Sequence, residues 1–171
     1  MKTKLIVPFA MIIALLFLLG YALFHVHHDK LPSAFIGEAI PAFHLVAAGN
    51  QHAFLTEKTL SGKPSLVNFC ASWCDACAAE QPMLMKMAKQ YHVAIYAIAY
   101  KDTPAAFAQW LKTYGNPYVM AGLDTQGDVA IDWGVYGTPE TFVVSAQGKI
   151  MYRHIGVIRE ADWDKIRGML G

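Results

Sequence analysis

Ser65-Leu66-Val67-Asn68-Phe69-Cys70, followed by Ala71-Ser72-Trp73-Cys74-Asp75-Ala76-Cys77, is the stretch on which the fold turns. The first six residues form a mostly apolar run with the character of a strand buried on both faces. Beyond the cysteines, Ala79, Met83, Leu84, Met87, Ala88 and Tyr91 recur at helical spacing and predict one apolar face on a helix over Ala78 to Tyr91. A strand that hands a Cys-x-x-Cys pair to a helix N-terminus places its first sulfur beside unpaired backbone N–H groups, where the helix dipole favours a thiolate. Cys74 is therefore expected to be the reactive thiol and Cys77, one turn further in, its resolving partner. Pro82 removes the bond its N–H would make to the Ala78 carbonyl and is expected to kink the helix.

Downstream, Val93 to Tyr100 is a second apolar, β-branched and aromatic run. Thr103 and Pro104 then supply an N-cap and first-turn proline for a helix through Tyr114, with Phe107, Trp110, Leu111 and Tyr114 as its buried stripe. A short strand over Tyr118 to Ala121 and a short helix over Asp128 to Trp133, ended by Gly134, follow. Thr141 to Ser145 and Ile150 to His154 predict a hairpin, and Glu160 to Leu170 a last amphipathic helix. Upstream, Ala42 to Val46 and Gln51 to Leu55 predict a strand pair joined through Gly49-Asn50. This succession specifies a mixed α/β fold.

Leu5 to Phe24 carries no charge, and at about 1.5 Å per residue a helix of that length spans the roughly 30 Å of a bilayer interior. Lys2 and Lys4 precede it, which by the positive-inside rule keeps the N-terminus cytoplasmic and exports the rest. A cleaved signal peptide would have an apolar region of about 7 to 15 residues, and Gly20-Tyr21-Ala22 is a poor cleavage site lodged inside the run. The expected organisation is a cytoplasmic stub over 1–4, a transmembrane anchor over 5–24, a linker over 25–36 and one globular domain over 37–171. His25, His27 and His28 read as part of a solvated spacer. Net charge is +1 and Lys and Arg are scattered, so nothing points to a nucleic-acid partner.

Val67 to Cys77, with Pro82 behind it, resembles the active-site segment of thioredoxin-fold proteins. Gly134-Val135-Tyr136-Gly137-Thr138-Pro139-Glu140-Thr141 is more specific. With Tyr100-Lys101-Asp102, Gly115-Asn116-Pro117-Tyr118 and the N-terminal apolar segment, it resembles the cytochrome c maturation thiol-disulfide interchange proteins (CcmG/DsbE), over roughly Gly37 to the C-terminus. The resemblance implies a thioredoxin-like fold, a central mixed β-sheet flanked by helices, behind one transmembrane helix. It implies a Cys74–Cys77 redox disulfide and a cis Thr138-Pro139 peptide beside it, with Thr138 pairing to substrate backbone. It also implies a reductive task in the bacterial periplasm: keeping the thiols of apocytochrome c, or of a maturation protein bonded to them, ready for haem attachment. A membrane thiol reductase would restore the dithiol, the inner membrane would hold the anchor, and no cofactor or metal is expected beyond the dithiol itself.

Three departures qualify the picture. Asn68 stands where many thioredoxins carry a buried aspartate that exchanges protons with the resolving cysteine, which an amide cannot do. Glu80, three residues after Cys77, is the expected substitute. Asp75 puts a negative charge between the cysteines, which disfavours a neighbouring thiolate and is expected to make the protein more reducing, nearer about −270 mV than about −120 mV. Cys70 replaces the usual tryptophan and is expected to be a small buried residue pointing away from the turn. Glu140 is expected to serve partner recognition, with Trp73 and Tyr136 as an aromatic rim.

Other readings use the same residues. Cys70-x3-Cys74-x2-Cys77 matches the iron-sulfur spacing of radical SAM enzymes, but those need a larger barrel-type domain and a cytosolic cluster supply. A closed zinc site wants four ligands, and no second Cys pair or His-x-x-x-His accompanies the cysteines. A general periplasmic reductase, an oxidase, or a non-enzymatic adaptor that uses His44, His52, His92 or His154 as ligands would each keep the fold.

Overall fold

The computed structural model describes residues 3–25 and 35–170, with side chains for 8–21 and 35–170. The chain divides into two compact units, Met1–Pro32 and Ser33–Gly171. In the first, α1 (Thr3–His25) is one helix with Pro8 inside it. Among the described residues no helix is long and apolar enough to cross a membrane. The segment expected as an anchor over 5–24 is thus helical, but a span is not established. His27, His28 and most of the expected linker lie outside the described residues.

The second unit is built on a seven-stranded sheet in the order β2-β1-β5-β4-β3-β6-β7. Its strands are β1 (His44–Ala47), β2 (Asn50–Thr56), β3 (Ser65–Cys70), β4 (Ile95–Tyr100), β5 (Met120–Asp124), β6 (Glu140–Val144) and β7 (Ile150–Ile155). β3, β4 and β5 run parallel, while β6 pairs antiparallel with β3 and β7 antiparallel with β6. The N-terminal hairpin β1–β2 joins antiparallel to β5. Between strands come α2 (Asp75–Gln90), α3 (Pro104–Tyr114) and α4 (Asp128–Asp132), with α5 (Glu160–Leu170) last. The predicted elements are all present within a few residues; a 3-10 turn over Glu57–Leu60 was not expected.

Every residue of β3 is buried, as the apolar run requires of a strand covered on both sides. Successive side chains point to opposite faces, and two cores result. Leu66 and Cys70 face one cluster with Leu84 and Met87 of α2, Phe107 and Trp110 of α3, and Trp163 and Ile166 of α5. Val67 and Phe69 face the other, with Leu55, Val129, Trp133 and Phe142. Burying a side chain such as Leu84 stabilises by about 1.5–3 kcal/mol, so this sandwich holds α2 in place beneath its active-site end.

Two packing expectations are corrected. The buried face of α2 is Cys77, Glu80, Gln81, Leu84 and Met87, whereas Ala79 is exposed and Tyr91 lies at the rim. Apolar periodicity alone placed the stripe slightly off, because two polar residues are buried on hydrogen-bond partners that only the tertiary fold provides. On α3 Phe107 and Trp110 are buried and Leu111 packs partly buried against the same core, while Tyr114 is exposed.

Candidate active site

Thr103 caps α3 through its side chain as its sequence position predicts, and Cys74 caps α2 in the same way. Cys74 has extended backbone angles, and its sulfur accepts the Cys77 N–H at 3.1 Å. That contact is the geometry in which a helix N-terminus stabilises a thiolate. Cys74 and Cys77 are joined as a disulfide. Cys74 is 8% exposed and Cys77 1%, so an incoming sulfur meets Cys74 first. Thr138-Pro139 is cis, as the resemblance implies. The Thr138 carbonyl oxygen lies 3.5 Å from the Cys74 sulfur. Trp73 and Tyr136 are both exposed, and Thr138 is half-buried. Pro82 lies inside α2 without interrupting it.

Glu80 sits one turn beyond Cys77 and is fully buried. Its Oε1 accepts the Ile158 N–H at 2.8 Å and its Oε2 the Asn68 amide at 3.0 Å. Burial pushes its carboxyl from the usual 4.5 up to about 7, against the lowering effect of those two donors. A carboxyl with such a value exchanges a proton readily near neutral pH. Asn68 therefore fills the place of a buried acid by holding a second residue that is one.

The network extends further than sequence reasoning reached. Asn68 also donates to Thr141 Oγ1 at 2.9 Å, and its Oδ1 accepts from the Tyr118 hydroxyl at 3.0 Å. That hydroxyl reaches Gln81 Oε1 at 3.3 Å and Cys70 Sγ at 3.5 Å, and Gln81 in turn donates to the Gly115 carbonyl at 2.9 Å. Cys70 is a free, fully buried thiol, as expected, and burial pushes it up to about 12. Its direction differs from expectation. Sharing strand parity with Leu66 and Asn68, it faces the α2 layer and the same core as Cys74 and Cys77.

Glu140 opens β6 and is turned inward, 1% exposed. Its Oε1 accepts the N–H groups of Tyr136 and Gly137 at 2.8 and 3.2 Å, and its Oε2 meets Arg153 of β7 at 2.7 and 2.6 Å. The Arg153 guanidinium lies 4.4 Å from the Tyr136 ring centre and 5.5 Å from that of Phe142. The carboxylate expected at a recognition surface instead pins the loop that carries Tyr136 and Thr138, so any part it takes in recognition is exerted through that loop. Arg153 gave no signal in the sequence, where it is one polar residue in an alternating strand. Asp102 and Tyr118 stand within the stretches that carry the family resemblance, but spacing assigns them no role.

Among the described residues, no histidine hydrogen-bonds to Glu80, Asn68, Tyr118, Cys70 or Glu140. The His154 ring contacts the Val157 carbonyl at 3.3 Å, and the His44 ring packs on Phe54 at 4.2 Å. Among the described residues no three His, Cys, Asp or Glu side chains are grouped to hold a metal ion.

A family profile described as Redoxin matches residues 35–170, the whole of this sheet and its helices. The thiol:disulfide interchange protein DsbE of Pseudomonas aeruginosa is 43% identical over 135 residues, covering 79% of this chain and 74% of its own length. The chain belongs to the DsbE family of thiol:disulfide interchange proteins. The DsbE protein of Pseudomonas fluorescens biotype C is 40% identical and aligns over 93% of this chain and 88% of its own. Among solved structures, a thio-disulfide isomerase from Thermus thermophilus superposes with a TM-score of 0.65 at 33% identity, over 78% of this chain and 96% of that one. As a DsbE-family member with an intact Cys-x-x-Cys disulfide, the chain is a thiol-disulfide oxidoreductase of the thioredoxin superfamily.

Proposed function

We propose that the chain works as a reductase in cytochrome c maturation, anchored in the bacterial inner membrane by α1 with its catalytic domain in the periplasm. Its substrate is the disulfide of apocytochrome c at the haem-attachment cysteines, or a maturation thiol protein bonded to them. The observation that carries the direction is the acidic residue set between the two cysteines: Asp75 is exposed there, at the start of α2. Negative charge disfavours thiolates, which destabilises the reduced state relative to the disulfide and makes the pair a stronger reductant.

In the reduced protein the Cys74 thiolate attacks one sulfur of the substrate disulfide and expels the other as a thiolate. Cys77 then gives its proton to Glu80 and attacks the Cys74 sulfur, releasing the second substrate thiolate. The substrate has gained two electrons and takes up two protons, while the protein is left as the Cys74–Cys77 disulfide. A membrane thiol reductase returns the two electrons. Thr138 offers its backbone to the substrate peptide, and Trp73 and Tyr136 flank it, a short-range β-augmentation.

The test is capture in cells. A Cys77→Ser variant is expected to accumulate mixed disulfides from Cys74 to apocytochrome c or to a maturation thiol protein, and the Cys74→Ser variant is expected to abolish maturation. Maturation that survives Cys74→Ser would make the protein an adaptor. Equilibration with glutathione that leaves it mostly as the dithiol would make it an oxidase.

A further inference from the structure

The turn between β4 and α3 lies against the residues that lead into the nucleophile. Lys101 takes a left-handed φ of 47°, uncommon for a residue with a Cβ, and its N–H is tied to the Asp124 carbonyl at 2.8 Å. The Lys101 carbonyl accepts the Trp73 indole N–H at 3.2 Å. Next to it, the Asp102 carboxylate, in a residue only 5% exposed, accepts the Ser72 N–H at 2.6 Å and the Ser72 hydroxyl at 2.9 Å. Its Oδ1 also takes the Thr103 N–H at 2.8 Å, which ties the carboxylate to the start of α3.

Ser72 and Trp73 directly precede Cys74, so this turn fixes the approach to the reacting sulfur. Trp73 is 59% exposed, yet its ring is held by the Lys101 bond and lies 6.2 Å from the Tyr100 ring. An exposed indole that is already ordered loses little freedom when a peptide docks on it, and such pre-organisation speeds or tightens docking without adding contacts. A buried carboxylate accepting several charge-assisted hydrogen bonds is a strong brace for such a segment.

We propose that Asp102 is a positioning residue of the exchange site, which through Ser72 holds Trp73 and Cys74 in the geometry that receives a peptide disulfide. The proposal rests on the reductive reading above, and a Cys77→Ser parent that fails to react with the peptide used below faults that reading and not the role of Asp102.

The experiment uses the full chain on a Cys77→Ser background, where exchange stops at the mixed disulfide. Two rates are followed across pH: alkylation of Cys74 by iodoacetamide, which needs only the thiolate, and attack on an oxidised Cys-x-x-Cys-His peptide, which must dock. Asp102→Asn is expected to slow the peptide reaction about tenfold. Its alkylation profile is expected to stay in place or move to lower pH, since a nearby carboxylate is removed. Ser72→Ala, which keeps that charge and loses one hydroxyl, is expected to slow the peptide about threefold with alkylation unchanged. Equal slowing of both reactions, or an unchanged peptide rate, would overturn the proposal. If Asp102→Asn does not fold, Ser72→Ala decides by the same criterion.

Discussion

Glu80 and Glu140 are both buried, one on α2 beyond the resolving cysteine and the other on β6 behind the cis proline. Their partners differ. Glu140 meets a guanidinium and two backbone N–H groups, so its charge is matched where it sits. Glu80 receives the Asn68 amide and the Ile158 N–H, both neutral, and burial raises its carboxyl to about 7. A carboxylate buried against a cation becomes a brace, whereas one buried against neutral donors keeps a proton within reach of neutral pH. In the proposed exchange the two serve different needs: Glu140 holds the loop that would meet the substrate, and Glu80 would take the proton of Cys77.

The largest test of this contrast is Arg153→Ala. Stranding Glu140 without its cation is expected to cost about 3–5 kcal/mol in urea unfolding. The pair Glu140→Gln with Arg153→Met is expected to recover much of it. A loss below about 1 kcal/mol in Arg153→Ala would show that Glu140 does not depend on the pair.

Next comes the pH dependence of Glu80. Its folded value of about 7 lies above the ordinary 4.5, so between those values the folded state holds a proton that the unfolded chain has released. Its contribution therefore favours folding at low pH and is lost as pH rises through that window, by up to about 3 kcal/mol. Unfolding midpoints of the oxidised protein measured from pH 4.5 to 7 should show this decline, and Glu80→Gln should flatten it. A slope that persists in Glu80→Gln assigns the decline to other groups.

Cys70→Ala is a smaller perturbation. Loss of a buried sulfur beside Tyr118 is expected to cost about 1–2 kcal/mol. The wild-type thiol should resist alkylation until the protein unfolds, in keeping with full burial and its rise to about 12. Rapid labelling of Cys70 in the folded protein would contradict its placement in the core.

Asp75 is the exposed counterpart of the two buried acids and should matter least. Asp75→Asn is expected to make the reduction potential less negative by about 10–20 mV, a surface charge acting on a thiolate through solvent. An equal or more negative potential removes Asp75 from the account of direction.

Much of the fold was legible because its signals are local. β3 is an apolar run, α3 carries its own cap, and the short helix over Asp128–Asp132 ends at Gly134, whose φ of 65° suits a residue without a side chain. The dithiol was legible for the same reason, since a strand followed by Cys-x-x-Cys and a helical pattern states its own geometry. Glu80 could be nominated from helical spacing to Cys77, but its burial could not. The amide that caps Oε1 comes from Ile158, and the asparagine that holds Oε2 comes from another element.

By itself, then, the sequence determined the order of strands and helices, the reactive pair and the acids near it, because periodicity, capping and spacing act over a few residues. Only the tertiary structure decided which acid is matched by Arg153 and which is left to neutral donors, that Cys70 faces the redox layer, and that Asp102 braces Ser72. Those outcomes depend on contacts between residues far apart along the chain, and the low-dielectric interior that gives them their strength exists only once the sheet and helices have closed around them.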